Sequence, residues 1–170
     1  MQKTLLLIAA SAALIAAAPA ADAAQGHFRA RGATASGAGV VAGGARNGNA
    51  YVRGHGAHQN ADGSVTSGSG AAFKLNNGAY GARGSTTTVN PDGSATHKGG
   101  FAASGASGQV NSSGSVSRDA NGDYTGSRVT SATGVNGNTY NGSTSYSNGT
   151  FSHTGACHDA SGAEIACPTR

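Results

Sequence analysis

Large apolar side chains are scarce in this sequence. The 147 residues after Ala23 hold nine valines, four phenylalanines, one leucine and one isoleucine, and tryptophan is absent altogether. That is roughly 10% of the stretch, well below the fraction at which a chain ordinarily buries enough surface to fold alone. The scarcity argues against a globular enzyme built round a thick core. Charge is equally thin: 11% of residues are charged and the net charge is +4. Disorder driven by charge repulsion needs a far stronger imbalance. The only long apolar run is Leu5–Ala18, too short to cross the hydrocarbon of a bilayer comfortably.

That run has another reading. Lys3 supplies a positive start, Leu5–Ala18 an apolar stretch, and Ala18-Pro19-Ala20 and Ala21-Asp22-Ala23 small-residue cleavage sites. Residues 1–23 are therefore expected to be a helical secretory signal peptide, with the mature chain periplasmic, on the outer surface or extracellular. The ten basic and six acidic residues that follow leave the mature charge at +4. In an oxidising compartment the two cysteines, Cys157 and Cys167, should form a disulfide closing a hairpin over 157–170, with a three-residue loop or a bulge around Ser161-Gly162. Zinc held by Cys157, His158 and Cys167 is the rival, and it lacks a fourth ligand.

Glycine, by contrast, is abundant at 29 residues, and part of it is metered. Asn47-Gly48, Asp62-Gly63, Asn77-Gly78, Asp92-Gly93 and Ser107-Gly108 place a glycine every 15 residues. Asn121-Gly122, Asn136-Gly137, Asn148-Gly149 and Ser161-Gly162 continue at steps of 14, 15, 12 and 13. Asn-Gly and Asp-Gly favour tight type I′ hairpin turns, whose central residues both need positive φ. The expectation is an all-β chain, a repetitive antiparallel meander over residues 47–156. A flexible Ala/Gly-rich lead-in over 24–46 precedes it. The alternative is a β-solenoid, in which the mid-module glycines Gly54, Gly84, Gly99 and Gly114 make a second set of corners.

Between the turns the sequence alternates. Counted from each turn glycine, even positions carry Val65, Phe73, Leu75, Tyr80, Val110 and Tyr124. Odd positions carry Arg53, Lys74, Arg83 and Lys98. Two-residue turns would pair Leu75 with Tyr80 and Tyr146 with Phe151 on an apolar face, and gather the four cations on a polar one.

Function follows from this architecture only as a class. In composition the chain resembles glycine-rich exported repeat proteins of Gram-negative bacteria. A thin sheet with few large side chains is marginal as a monomer, so a non-catalytic structural or surface-matrix role with self-association is expected. A small outer-membrane β-barrel is one alternative; membrane contact belongs to that reading alone. It is opposed by Ser67, Ser69, Asn90, His97 and Arg118 on the side that would meet lipid. The other alternative is a basic-faced module in which Arg53, Lys74, Arg83 and Lys98 meet an anionic polysaccharide at a cell surface. No specific nucleic-acid site, catalytic group, cofactor or metal is expected. His55 and His58 should point to opposite faces, and Asp119-Ala120-Asn121-Gly122-Asp123 reads as a turn, lacking the distal glutamate of a calcium loop.

Overall fold

The computed structural model describes residues 25–168; the expected signal peptide lies outside them. The described chain is an antiparallel meander in one open sheet, with eleven strands in sequence order. They are β1 (Gly26–Thr34), β2 (Gly37–Arg46), β3 (Asn49–Gln59), β4 (Val65–Lys74), β5 (Tyr80–Val89), β6 (Ala95–Gly105), β7 (Gly108–Arg118), β8 (Tyr124–Gly134), β9 (Thr139–Ser147), β10 (Thr150–His158) and the short β11 (Glu164–Ile165). The segment expected as a flexible lead-in forms β1 and β2 instead. Its small alternating residues pair in register from Gly26↔Ala45 to Thr34↔Gly37, and the neighbouring β3 supplies the second partner that an isolated hairpin would lack.

Eight of the nine metered glycines lie within the turns themselves; Gly108 opens β7 just after the two-residue turn Ala106-Ser107 and pairs with Gly105, so the reversal expected at Ser107-Gly108 falls one residue earlier. All nine carry positive φ, from 74° at Gly48 to 122° at Gly108. The turns themselves are of two kinds. Asn47 (φ 51°) and Asn148 (φ 42°) also enter the left-handed region, and their flanking residues pair directly as Arg46↔Asn49 and Ser147↔Thr150. These are the expected two-residue turns. At Asp62-Gly63, Asn77-Gly78, Asp92-Gly93, Asn121-Gly122, Asn136-Gly137 and Ser161-Gly162 the loop has three residues. In the first of them the amide of Asn60 donates to the carbonyl of Ser64 at 2.8 Å, and that of Gly63 to the carbonyl of Asn60 at 3.0 Å. This is a type I turn followed by a glycine bulge, which requires positive φ at the glycine alone. Asp62, Asn77, Asp92 and Asn136 are there for a different reason: each side-chain oxygen accepts the amide two residues on, at 2.9–3.1 Å.

Loop length sets the register. Across Asn77-Gly78 the pairs are Lys74↔Tyr80 and, through the Leu75 amide, Leu75 with Ala79. The expected Leu75–Tyr80 pair is therefore shifted by one, which sends Tyr80 to the face opposite Phe73. Across Asn148-Gly149 the turn has two residues, and Tyr146 does meet Phe151, ring centroids 4.7 Å apart. The strands run straight through the mid-module glycines: Gly54 and Gly84 both pair with Gly70 of β4, and Gly99 of β6 pairs with Gly114 of β7. The solenoid's second set of corners does not exist.

One layer leaves little inside. Among the described residues only Val52 (7% exposed) and Cys157 (5%) are buried apolar groups. Buried Ser64 and Ser112 are fully engaged, Ser64 with Asp62 and Asn60, Ser112 with the Val129 carbonyl, Thr130 and Arg128. Glycines take the place of a second layer by accepting rings: an added Cβ at Gly81 would lie 2.8 Å from the Phe73 ring, and one at Gly43 2.6 Å from the Phe28 ring. Both are cross-strand partners of the ring that covers them.

The turn aspartates carry a pH signature. Asp62, Asp92 and Asp159 titrate below the ordinary carboxylate value, first because the hydroxyls of Ser64, Ser94 and Ser161 donate to them, then through backbone amides. A depressed folded-state pKa contributes stability that is complete above the unfolded value of about 3.9 and is lost as pH falls through the folded one. Thermal stability should thus be level down to about pH 4 and decline only below it. In an NMR titration Ser64→Ala should move Asp62 upward while leaving Asp92 in place.

Candidate interaction face

Cross-strand partners share a face and successive residues alternate, so the pairings assign every strand side chain to one side. The result is a strong segregation. All seven strand arginines, Arg29, Arg31, Arg46, Arg53, Arg83, Arg118 and Arg128, stand on one face, together with His27, His55, His97 and His153. Seven of the nine aromatic rings are there too, Phe28 and Tyr80 excepted. The opposite face is mostly glycine, alanine, serine, threonine and asparagine, with Lys74, Lys98, His58 and the scattered apolar groups Phe28, Val41, Val52, Tyr80 and Val129.

Among the described residues no strand carboxylate lies on the arginine face. Glu164 pairs with His158 on the hydroxyl face, and Asp62, Asp92, Asp119, Asp123 and Asp159 sit in turns. Arg29, Ala42, Arg53, Ala71, Arg83 and Phe101 form one cross-strand row over β1 to β6. Its guanidinium-bearing strands alternate with alanine strands, so neighbouring arginines stand two strand spacings apart, about 9.5 Å. Beside this row the sheet dishes into an open trough of about 930 Å³, edged by Arg29, Arg31 and His55 and floored by Ala57, Ser67 and Ser69. A smaller trough of about 550 Å³ lies toward the other end, among Asn111, Ser131, Asn141, Ser143 and Thr154 of the hydroxyl face.

The four cations expected together are divided. Arg53 and Arg83 share the row, whereas Lys74 and Lys98 stand on the opposite side. Arg29 and Arg31 were not anticipated, because their segment read as a lead-in; the alternation Arg29-Ala30-Arg31 was the available signal, since residues two apart in a strand share a face. Ser67, Ser69, His97 and Arg118 do share one side, which is the arginine face. His55 and His58 point to opposite faces.

Cys157 and Cys167 are joined as a disulfide, with Cα atoms 5.3 Å apart, and neither thiolate remains for zinc. The bond pins β11 against the end of β10, beyond the loop in which Gly162 donates to Asp159. The Asp119 carboxylate accepts the amides of Asn121 and Asp123, at 2.8 and 3.0 Å, and so serves its own turn. His97 and His153 bond Thr87 and Thr144 across the strands, each at 2.8 Å. No protein-family model, curated protein or solved structure matches the chain.

Proposed function

We propose that this is an exported, non-catalytic structural protein of the cell surface or its matrix, which builds material by adding copies of its own sheet. The observation that carries this reading is the single layer itself. Rings such as Tyr51 (50% exposed), Tyr80 (58%) and Phe151 (74%) face water, and among the described residues β1 has no neighbour on its outer side. An isolated sheet of this kind gains little from burial, while an open edge offers unpaired amides and carbonyls to another chain. The topology suits addition. Ten long strands alternate in direction, so β1 and β10 run antiparallel. β1 of one copy can lie beside the stretch of the next copy's β10 that the short β11 leaves uncovered, Thr150–Ala156, without interrupting the alternation. Repetition by this step keeps every arginine face on one side.

A sheet is favoured over a transmembrane barrel by the same facts. Among the described residues β1 pairs with β2 alone, and neither face carries a continuous apolar band. Export is supported by the signal-like leader and by the disulfide. Sedimentation velocity on the whole protein, with its disulfide intact, tests the reading. The mean sedimentation coefficient should rise with concentration while the β-type circular dichroism is unchanged. A single monomeric species across the accessible concentration range defeats it.

A further inference from the structure

We infer that the arginine face over β1 to β5 is a binding surface for a linear acidic polysaccharide, with the row Arg29–Arg53–Arg83 as its carboxylate-binding track. Charge complementarity carries the inference. In a chain of net charge +4 the described strands place all their arginines on one side and no carboxylate with them. An anion on this face therefore meets guanidinium groups without a competing acid from any strand. Arginine presents a planar fork that matches a carboxylate through two parallel hydrogen bonds, which a lysine cannot do. Spacing adds to this. The alanines at 42 and 71 separate the guanidinium-bearing strands by about 9.5 Å, on the scale of two linked sugar rings. The floor of the trough, made of small side chains with the hydroxyls of Ser67 and Ser69, leaves room for a polymer to lie flat.

Aromatic surface flanks the track. Tyr51 follows one row along from Arg53 on the same face and lies against its partner Gly44, an added Cβ there meeting Tyr51 Cε1 at 3.3 Å. Phe73, beside Tyr51 in the same row, covers Gly81 in like manner. Rings held by glycines beneath them are platforms for the apolar side of a sugar ring. They would also stack on bases, so a nucleic acid is the competing macromolecule. The disulfide favours the glycan, because it belongs to compartments outside the reducing cytosol.

The test uses the whole protein with its disulfide intact, below the concentration at which it assembles, so that binding and self-association are judged separately. Polygalacturonate is the anionic probe, dextran the neutral one and single-stranded DNA the competitor. Affinity for polygalacturonate should fall steeply with added salt, and dextran should not bind. Two charge-matched pairs then separate geometry from net charge. Arg53→Gln with Arg83→Gln should weaken polygalacturonate binding about tenfold or more, and Lys74→Gln with Lys98→Gln, on the other face, less than about twofold. Arg29→Gln with Arg31→Gln, on the edge strand, gives a second loss-of-affinity pair should the central one fail to fold. Equal losses from the arginine and lysine pairs would overturn the proposal, as would absence of polygalacturonate binding or a clear preference for single-stranded DNA.

Discussion

Two prolines in β1, His27→Pro and Ala33→Pro, should raise the concentration needed for assembly about tenfold or more while leaving the monomer's fold in place. The two-residue turn Ala35-Ser36 closes on the pair Thr34↔Gly37. Alternation along an antiparallel ladder then aims the amides of Thr34, Gly32, Ala30 and Phe28 at β2, and those of Ala33, Arg31, Arg29 and His27 away from the sheet. Proline at 27 and 33 removes only outward donors, so β1 keeps its bonds to β2. Gly26 and Gly32 precede the two sites, and glycine readily meets the backbone restriction that a following proline imposes. Each lost intermolecular bond costs about 1 kcal/mol. The two together exceed the 1.4 kcal/mol that corresponds to a factor of ten. Sedimentation velocity reads the shift, and circular dichroism shows whether the sheet is retained. Assembly identical to that of the unsubstituted protein would mean that β1 is not the joining edge.

The largest loss of stability should come from Gly81→Val, by about 1–3 kcal/mol. A Cβ at this position would stand 2.8 Å from the Phe73 ring and 3.0 Å from the Ala102 carbonyl oxygen. The ring cannot remain over its partner, and nothing behind the single layer compensates. The cost should be coupled to Phe73. In a Phe73→Ala background, Gly81→Val should destabilise by at least about 0.5 kcal/mol less than in the parent, the residue being the contact with Ala102. Urea denaturation of the four proteins measures the cycle, and purely additive losses would show that the ring over the glycine is not a stabilising unit. The same arrangement holds Tyr140, which lies against both Gly142 and Gly155. Glycine here does more than turn the chain: in a sheet with no second layer it is the floor on which a ring packs.

Much of this was legible along the chain. The nine metered glycines stand out by spacing and by their Asn, Asp or Ser neighbours; all have positive φ, and eight lie within a reversal while Gly108 sits just past one. The Cys157–Cys167 bond and its three-residue loop followed from nine intervening residues centred on Gly162. What the residues did not reveal was the length of most loops. Asp62-Gly63 and Asn77-Gly78 suit a two-residue type I′ turn as well as a type I turn with a glycine bulge. The amide acceptor offered by the side chain tips the balance to the longer form. One extra loop residue changes which later residues share a side. That is why Lys74 and Lys98 left the company of Arg53 and Arg83. Arg29 and Arg31 were missed for another reason: the small residues of β1 and β2 read as a lead-in, and only pairing with β3 makes them part of the sheet.

The sequence by itself determined the strands from β3 onward and most of their reversals, because alternation and the need for positive φ are local and act within a few residues. Only the tertiary structure decided the two faces, the division of arginine from lysine, and an edge left open at β1. Those depend on register, which accumulates over successive turns, and on whether the first strand finds a last one beside it.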